Sequence, residues 1–574
     1  MEKFMKNKLD LIMISPDLSI RKTMQRITDA GAEGLPSGIA VVVDDDKKLL
    51  GVVTDGDIRR ALVKDIGIDS PVEKIMVREP ITVPKGLSEF EIVKIVTERV
   101  RTSGRIRDVK VDQVIVIDND GRLYDIVNFF ELWKSADLKN KTICVVGLGF
   151  VGLTLAVVLS DVGFKVIGYD LKEDLIKSVN NGHPPFYEKG LSSLIKFHIN
   201  KNNFRAVTNI NESTADIYIL SVGTPVGLDN NPDLQYIKEA AHQVGQILKK
   251  RDVVILRSTV PVGTTRNIVL PILEKESSLK GGEEFYLSFA PERTVEGKAL
   301  EELRGLPQIV GGYNQISLDI TANFFSHLNH TIVRVSSLEA AEMVKLINNS
   351  FRDISFGFAN EFTLICDKLG LNAVDIINAA NEGYPRNPIP VPSPGVGGVC
   401  LKKDPYIYIS SAGHFGIEAD MPRVARKVNE YMPQFVFNKI GSFIKSHKRD
   451  EIKIFIIGFA FKGEPETSDM RNSPTVDILN LILANKNFNV YGYDPIVLKG
   501  EIEKLGIIGC SLREGFKNAD CVLIMNNHRS YRDMDILGLI ELMNKPALLF
   551  DGWQIFPQEE IERVEGIIYG ALSG

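Results

Sequence analysis

The segment KTICVVGLGFVG, followed by FKVIGYD, constrains the fold more than any other part of the chain. An apolar strand runs into Gly147, Gly149 and Gly152, a helical stretch follows, and a second strand ends in Asp170. Glycines let a pyrophosphate approach the backbone at a helix amino terminus, where N–H groups and the helix dipole favour negative charge. A carboxylate at position 170 would accept hydrogen bonds from adenosine ribose hydroxyls and repel a 2′-phosphate. The pattern therefore predicts a dinucleotide-binding fold that prefers NAD over NADP.

The same segment has a second interpretation as a membrane helix. Residues 142–160 contain no charged side chain and approach the ~20 apolar residues that span a bilayer. The glycines inside the run and the strand that follows it favour a buried strand, turn and helix, and no membrane span is predicted.

A similar arrangement returns near the carboxyl end, where IKIFIIGFAFKG at 452–463 precedes FNVYGYDP at 488–495. This copy lacks the glycine fingerprint and has Lys462 in its turn, which indicates a phosphate-binding half and not a second NAD site. Between the halves, residues 337–370 have helical spacing, no proline and a terminal glycine. A helix of this length extends ~50 Å, enough to bridge two domains.

The amino-terminal part contains an internal repeat. AVVVDDDKKLLGVVTDGDI at 40–58 has a weaker copy in VIVIDNDGRLYDIVNFFEL at 114–132. Each copy predicts a strand, an acidic turn, a second strand and a helix start. Each also follows an amphipathic helical stretch, at 19–30 and at 88–100.

This repeat resembles a pair of CBS modules, and GVVTDGD matches the ribose- and phosphate-contacting pattern of that family. The resemblance implies that Thr54 and Asp57 contact an adenine nucleotide. The equivalent positions of the second copy hold Asp125, Asn128 and Glu131. Two alternatives stay open, a nucleotide sensor and a module that only mediates assembly.

Composition excludes several classes of function. The chain has 68 Lys and Arg against 74 Asp and Glu, a net charge of −6, and no basic block, so a nucleic-acid partner is not expected. No apolar signal core follows the amino terminus. The cysteines lack paired or metal-ligand spacing, which favours a reducing, cytoplasmic compartment without a disulfide framework or a metal site. They are Cys144, Cys366, Cys400, Cys510 and Cys521.

Five motifs together resemble the UDP-glucose/GDP-mannose dehydrogenase family over roughly residues 141–560. They are GLGFVG, STVPVGTT at 258–265, APERTVEG at 290–297, GVGGVCLKKD at 395–404, and GFAFKGEPETSDMRNSP at 458–474. The resemblance implies an enzyme that oxidises the C6 hydroxymethyl of a nucleotide sugar to a carboxylate with two NAD.

The implied fold is α/β, with two Rossmann-like domains joined by a long central helix and preceded by an α+β CBS pair. The expected domains are the CBS pair at 1–136, the NAD-binding domain at 141–335, a central helical and dimerisation domain at 336–437, and a UDP-binding domain at 438–574.

This reaction explains the cysteine in SPGVGGVCLKKD. The aldehyde formed first cannot readily donate a second hydride until a nucleophile makes its carbon tetrahedral, and a thiolate can do so through a thiohemiacetal and then a thioester. Cys400 is therefore the expected nucleophile, with glycines that admit substrate and lysines that favour the thiolate. The alternative for an isolated cysteine is a small buried apolar residue.

The family pattern assigns further catalytic roles by position. Lys345 and Asn349 lie four residues apart on one helix face. They match family residues that contact the reacting C6 oxygen and order a water molecule. Asp404 and Thr259 match residues that hold the catalytic water, and Glu292 matches a residue that assists thioester hydrolysis.

The remaining expected contacts are with cofactor and substrate. The cofactor set is Gly147, Gly149, Phe150, Val151, Gly152, Asp170, Thr224, Thr259, Glu296 and Arg471. The substrate set is Glu292, Lys345, Arg386, Lys403 and Lys462. Two positions depart from the family pattern, because Trp553 replaces an arginine after Asp-Gly and Val399 replaces a serine or histidine before the cysteine.

The arginine in APERTVEG resembles the UDP-N-acetylhexosamine branch, so UDP-N-acetylmannosamine or UDP-N-acetylglucosamine is the expected substrate and UDP-glucose the alternative. A two-domain hydroxyacid dehydrogenase would need neither a second Rossmann half nor Cys400. A regulator with an inactive dehydrogenase body would not need the full catalytic set. The resemblance also implies a homodimer or higher oligomer through the long helix.

Overall fold

The computed structural model describes residues 9–32, 38–87, 92, 95, 113–128, 141–227, 229–386, 388–446, 451–484 and 488–574. The chain forms two compact units, Met1–Leu138 and Lys139–Gly574.

The first unit contains two three-stranded sheets with one pattern. In the first sheet β1 pairs parallel with β2, which forms an antiparallel hairpin with β3; in the second, β4 pairs parallel with β5, which forms a hairpin with β6. The strands are β1 Met13–Ile14, β2 Ile39–Val43, β3 Leu49–Thr54, β4 Thr82–Pro84, β5 Gln113–Ile117 and β6 Leu123–Asn128. The helices are α1 Ile20–Ala32 and α2 Asp55–Val63, with a 3₁₀ turn at Val72–Lys74. The strands of the predicted repeat are thus present in both copies.

The two sheets of this unit meet through their hairpin turns. Leu49 N donates to Gly121 O at 3.0 Å, and Arg122 Nε donates to Asp46 O at 3.0 Å. Most of the predicted helix at 88–100 and the helix start at 129–132, with Glu131, lie outside the described residues.

The second unit begins with an eight-stranded sheet of order β14-β13-β12-β11-β10-β7-β8-β9. Its pairs are parallel except β12 with β13. The strands are β7 Thr142–Val146, β8 Lys165–Tyr169, β9 Phe204–Val207, β10 Ile217–Leu220, β11 Val253–Leu256, β12 Tyr286–Phe289, β13 Gln308–Gly312 and β14 Ile332–Arg334. Strand order reverses beside β7, and ligands of open parallel sheets bind at such a switch point, outside the carboxyl ends of the strands.

Helices cover both faces of this sheet, which is why its central strands are continuous apolar runs. They are α3 Phe150–Val162, α4 Glu173–Asn180, α5 Leu191–Asn200, α6 Gln235–Ile247, α7 Leu270–Ser277, α8 Ala299–Gly305 and α9 Gln315–Ser326, with a 3₁₀ turn at Ile210–Ser213 and a π-helical turn at Thr265–Val269. The apolar run at 142–160 forms β7, the glycine turn and most of α3. Within the described ranges, no helix combines the length and apolar character needed to cross a membrane.

A single long helix, α10 Leu338–Leu369, follows the first sheet. The Ser337 hydroxyl accepts from Ala340 N, and Gly370 ends the helix in the left-handed conformation at φ 66°, so both predicted ends are correct. The helices after it are α11 Ala373–Asn381, α12 Asp404–His414 and α13 Asp420–Ser446, and α13 packs along α10.

A six-stranded, fully parallel sheet completes the unit, with the order β17-β16-β15-β18-β19-β20. The strands are β15 Ile452–Ile457, β16 Phe488–Tyr493, β17 Ile508–Gly509, β18 Cys521–Ile524, β19 Ala547–Asp551 and β20 Ile567–Gly570. The helices are α14 Pro474–Leu483, α15 Lys499–Glu503, α16 Leu512–Phe516, α17 Ile536–Ile540 and α18 Gln558–Ile561, with a 3₁₀ turn at Arg529–Asp533. The predicted architecture of two Rossmann-like halves and a long helix is confirmed.

Candidate active site

The glycine turn between β7 and α3 leaves backbone open where a ligand would approach. Gly147 has φ +91°, and a Cβ there would lie 3.0 Å from Ser221 O. A Cβ on Gly152 would lie 1.8 Å from Gly147 O, so this glycine permits the close packing of helix on strand. A Cβ on Gly149 meets nothing within 4 Å, so its place is free space at the start of α3, beside Phe150 and Val151. The turn fits a pyrophosphate at a helix amino terminus.

Asp170 follows β8 and faces this turn. Its Oδ2 accepts from Leu148 N at 2.9 Å and its Oδ1 from Lys172 N at 3.1 Å, and the residue is half-buried. The Thr224 hydroxyl, beyond β10, is buried and has no hydrogen-bond partner among the described residues. An oriented carboxylate and a buried unpaired hydroxyl near the glycine turn fit a dinucleotide with ribose hydroxyls.

The corresponding aspartate of the second half has a different environment. Asp494 is buried, its Oδ2 accepts from Phe459 N at 2.8 Å and Ala460 N at 3.0 Å, and its Oδ1 accepts from Ile496 N and Val497 N. Two backbone donors contact each Asp494 oxygen, whereas one contacts each oxygen of Asp170. All four lone-pair sites of Asp494 are therefore in use, and this carboxylate has no capacity left for a ribose. The structure agrees with the interpretation of this half as something other than a second NAD site.

Four predicted catalytic residues meet around Cys400. Lys345 Nζ lies 3.6 Å from Glu292 Oε2, and Asn349 Nδ2 donates to Asp404 Oδ2 at 2.5 Å. Lys345, Glu292 and Asp404 are 6%, 7% and 0% exposed, so these charges interact in a desolvated space. Cys400 lies one turn before Asp404, whose N donates to Cys400 O at 2.8 Å.

The charges around the thiol oppose one another. Burial alone would lower the pKa of Lys345, but the negative groups at Glu292, Cys400 and Asp404 outweigh it and raise that pKa. Burial, and next Asp404, raise the pKa of Cys400 to about 11, whereas Lys345 and Lys403 lower it less. Cys400 is nonetheless exposed to solvent. The expectation that lysines favour the thiolate is therefore only partly met, because burial and Asp404 prevail.

Lys403 contacts this group, and Thr259 lies in the loop after β11. Lys403 Nζ lies 3.2 Å from Asp404 Oδ1. Thr259 follows β11 in a loop that Glu342 holds, since Gly263 N and both N and Oγ1 of Thr265 donate to the Glu342 carboxylate at 2.5, 2.8 and 2.6 Å. The sequence analysis did not identify Glu342. It lies three residues before Lys345 and seven before Asn349, a spacing that places all three on one helix face.

A second group joins the two Rossmann-like halves. Lys462 Nζ donates to Glu296 O at 2.7 Å, and Thr467 Oγ1 donates to Glu296 Oε2 at 3.2 Å. Arg471 pairs with Asp469 at 2.6 Å and lies 3.8 Å from Glu296. Burial lowers the pKa of Lys462 to about 8, and burial with the Asp469 charge raises the pKa of Glu296 to about 7. Predicted cofactor and substrate residues thus lie side by side.

Two further positions that the sequence singled out are Arg386, an expected substrate contact, and Trp553, a departure from the family pattern. Arg386 is exposed with its guanidinium 5.6 Å from the Tyr384 ring centre, and no contact described for it reaches another predicted site residue. Trp553 follows β19 and donates its indole N–H to Met525 O at 3.0 Å, which fixes the ring at the carboxyl edge of the second sheet.

In the first unit, Thr54 and Asp57 form the capping box of α2. The Thr54 hydroxyl and N–H both donate to Asp57 Oδ2, at 2.7 and 2.9 Å, and Arg60 pairs with Asp57 Oδ1 at 2.6 Å. The two side chains therefore already have a structural role at the helix start.

Family models match most of the chain. Those of the UDP-glucose/GDP-mannose dehydrogenase family match residues 141–329 as its NAD binding domain, 339–431 as its central domain and 455–558 as its UDP binding domain. A CBS domain model matches residues 2–64.

Curated relatives and solved structures agree with these matches. The UDP-N-acetyl-D-mannosamine dehydrogenase of Methanococcus vannielii is 33% identical over 416 residues, 72% of this chain and 92% of that protein. The Campylobacter jejuni enzyme of the same name is 33% identical over 399 residues, 68% of this chain and 96% of that protein. The solved UDP-D-ManNAc dehydrogenase of Pyrococcus horikoshii has a TM-score of 0.68 at 30% identity, over 75% of this chain and 99% of its own. With the matched domains in order and the site residues assembled, this chain belongs to the UDP-glucose/GDP-mannose dehydrogenase family and carries an amino-terminal CBS domain.

Proposed function

We propose that this protein oxidises the C6 hydroxymethyl of a nucleotide sugar to a carboxylate. The balanced reaction consumes the alcohol, two NAD⁺ and one water, and yields the carboxylate, two NADH and three protons. The observation that carries the proposal is the assembly of Lys345, Glu292, Asn349 and Asp404 at Cys400. A simple alcohol dehydrogenase would need no such group around a thiol.

The glycine turn and Asp170 are the proposed NAD site, and Thr224, Thr259, Glu296 and Arg471 extend it. Bound NAD would accept a hydride from C6 in each oxidation step. Asp170 would orient the adenosine ribose through its carboxylate, which Leu148 N and Lys172 N hold in place. The same negative charge would disfavour the 2′-phosphate of NADP.

Lys345 and Asn349 would act on the C6 oxygen in the first step. The ammonium of Lys345 would donate a hydrogen bond to that oxygen and stabilise negative charge that develops there. Glu292 would orient the ammonium, at 3.6 Å, and Asn349 would contribute its amide while Asp404 holds it.

Cys400 would capture the aldehyde before it leaves. Sulfur bonds to the carbonyl carbon and the thiol proton passes to the carbonyl oxygen, so a neutral thiohemiacetal forms. Loss of a second hydride and the hydroxyl proton gives the thioester. Because burial raises the pKa of the Cys400 thiol to about 11, most of the thiol is protonated near neutral pH, and capture of the aldehyde would include the loss of that proton.

Hydrolysis would complete the reaction. Glu292 is the proposed base that removes a proton from water, with Asp404 and Thr259 holding the water, and the attack releases the carboxylate and the Cys400 thiol. Glu292 and Asp404 are both buried, so the two carboxylates are shielded from bulk solvent.

The proposed substrate is a UDP-N-acetylhexosamine, with UDP-N-acetylmannosamine favoured because relatives of that activity are 33% identical. Lys462, Lys403 and Arg386 would contact the nucleotide sugar, and a lysine near a diphosphate supplies a point charge. A panel of UDP-N-acetylhexosamines and UDP-glucose with NAD, followed by NADH formation and product mass, tests this proposal. Oxidation of UDP-glucose alone would overturn the substrate, and oxidation of none would overturn the function.

A homodimer through the central helix is the proposed assembly. The outer face of α10 exposes large apolar side chains, among them Ile347, Phe351, Phe358, Ile365 and Leu369. Contiguous apolar surface of this kind marks interaction sites. Sedimentation of Phe351→Glu should show monomer where wild type shows dimer, whereas the control Tyr236→Glu, at another exposed aromatic side chain on α6, should remain dimeric. A monomeric wild type would refute the assembly.

An adenine nucleotide at Thr54 and Asp57 is the proposed ligand of the first unit, and an assembly module is the alternative. Calorimetry of the full chain with AMP, ADP and ATP tests this, with saturating NAD present so that the dinucleotide site is filled. No heat of binding would favour the assembly module. Binding that leaves the kinetics of the dehydrogenase unchanged would rule out regulation of the enzyme by the nucleotide, but not the binding site.

A further inference from the structure

Both ends of the segment that carries Cys400 are fixed by buried side chains. Ser393 N donates to Asn360 Oδ1 at 2.9 Å, and Arg426 Nη1 donates to Leu401 O at 3.3 Å. Asn360 lies on α10 and Arg426 on α13. The segment 393–401 is therefore held at one end by each of the two long helices.

The two anchors belong to one hydrogen-bonded network. Arg426 Nη1 donates to Asp353 Oδ1 at 2.6 Å, and Asn429 Nδ2 donates to the carboxylate and the backbone oxygen of Asp353, both at 3.0 Å. Asn360 Nδ2 donates to Asn429 Oδ1 at 2.9 Å, which closes the connection. Exposure of all four side-chain residues is 1% or less.

This network continues the catalytic face of α10. Lys345, Asn349, Asp353 and Asn360 fall within about 80° around the helix axis at 3.6 residues per turn. One helix face thus carries two proposed catalytic groups, Asn360, which contacts the segment 393–401 directly, and Asp353, which holds its other anchor Arg426. A shift of this face would move both sets together.

The energetics of the network favour a role beyond stability. Burying an arginine and an aspartate costs several kcal/mol per ion, and well-packed apolar side chains of the same volume are often equally stable. Apolar side chains, however, could not hold a backbone N–H at one end of a loop and a backbone carbonyl at the other. Hydrogen bonds at fixed positions determine the conformation of the loop.

We propose that Asp353, Arg426, Asn429 and Asn360 are positioning residues that fix both ends of the segment 393–401 and so place the Cys400 thiol for attack. The inference rests on the proposed function for its kinetic consequences. Its structural part, the placement of the thiol, stands on the contacts alone.

The chain offers a matched control. Asp367 on α10 pairs with Lys439 on α13 at 2.6 Å, so this pair bridges the same two helices. Lys439 also donates to Leu572 O at 3.1 Å, and neither residue has a described contact with the segment 393–401. A substitution there perturbs the helix pair without touching the thiol segment.

The experiment compares Asn360→Ala and Asp353→Asn with Asp367→Asn in the full-length protein. Thermal unfolding measures stability, steady-state kinetics separate kcat from KM, and peptide mass spectrometry follows iodoacetamide alkylation of Cys400. Cys510, which is half-buried in the second sheet domain, is the internal reference. If Asp353→Asn fails to fold, Asn360→Ala carries the test, because it removes only neutral hydrogen bonds.

We expect kcat to fall about 10- to 100-fold in both network variants, with a smaller change in KM, because a displacement near 1 Å costs rates of this order. Cys400 alkylation should change relative to Cys510, whereas Asp367→Asn should keep both values within about 2-fold of wild type. Wild-type kcat and alkylation in folded network variants would overturn the inference. If wild type oxidises no nucleotide sugar, the proposed function fails, and the alkylation rates still decide whether the network places the thiol.

Discussion

Asp170→Asn is a nearly isosteric change that removes one negative charge at the proposed adenosine ribose. The wild-type carboxylate is half-buried and held by Leu148 N and Lys172 N at 2.9 and 3.1 Å. An asparagine oxygen can keep one of these bonds, so the loop should keep its conformation. The change therefore separates the charge from the shape of the site.

The expected magnitude has two parts. A charge-assisted hydrogen bond to a ribose hydroxyl contributes about 2 kcal/mol, so NAD should bind ~30-fold more weakly. A carboxylate about 5 Å from a 2′-phosphate charge repels it by ~1 kcal/mol in water and ~3 kcal/mol at an effective dielectric constant of 20. For a half-buried group we take a repulsion of ~2 kcal/mol, so removing the charge should strengthen NADP binding ~30-fold. The ratio of kcat/KM for NAD to that for NADP should then fall about 100- to 1000-fold.

The assay is initial NADH or NADPH formation at saturating nucleotide sugar, for wild type and variant. Asp494→Asn is the matched control, because Asp494 has the equivalent place in the second half but is buried, and four backbone N–H groups occupy its carboxylate. It should lower the melting temperature and leave the cofactor ratio unchanged. A wild type that uses both cofactors equally, or an Asp170→Asn ratio equal to that of wild type, would refute the placement of Asp170 at the ribose.

Three further predictions follow from the site. Above pH 8, kcat/KM for the nucleotide sugar should fall as Lys462, whose pKa is about 8, loses its charge. In Lys462→Arg this fall should move to higher pH. A pH profile that is the same in the variant as in wild type would refute a role of Lys462 in binding phosphate. Alkylation of Cys400 should rise about tenfold per pH unit from 7 to 10, since the pKa of its thiol is about 11, and Lys345→Met should slow it at each pH; a plateau near pH 8 would contradict this. Gly149→Ala should fold normally and lose NAD binding in fluorescence titrations. Gly152→Ala, whose Cβ would lie 1.8 Å from a backbone oxygen, should instead lose at least ~2 kcal/mol of unfolding free energy. Equal stability of the two variants would refute the steric argument.

Local patterns predicted the elements on which the fold depends. The strand, glycine turn and helix at 142–162 and the central helix at 337–370 were predicted from residues that lie next to one another in sequence, and the cap at Gly370 is as expected. The strand order β10-β7-β8 and the antiparallel insertion of β13 depend on contacts far apart in sequence. No local pattern predicts them.

The candidate site was predicted unevenly for the same reason. Cys400 and Lys345 were found through motifs, but the thiol pKa depends on burial and on Asp404, which a motif does not report. The pairing of Asp353 with Arg426 joins residues 73 apart, and each alone is an ordinary charged residue on a helix. The spacing of Asp353 from Lys345, which places both on one face of α10, was the available signal.

The measurement that tests the account most directly is the yield of NADH per uronate in wild type, Cys400→Ala and Cys400→Ser. Wild type should form two NADH per sugar and release little aldehyde, because the thiol captures it. Cys400→Ala should bind nucleotide sugar and NAD and lose uronate formation by orders of magnitude, and Cys400→Ser should stall at a covalent adduct or earlier, since an alcohol has a far higher pKa and forms an ester. If either variant made uronate near the wild-type rate with two NADH per product, Cys400 would not be the nucleophile and the proposed mechanism would be wrong.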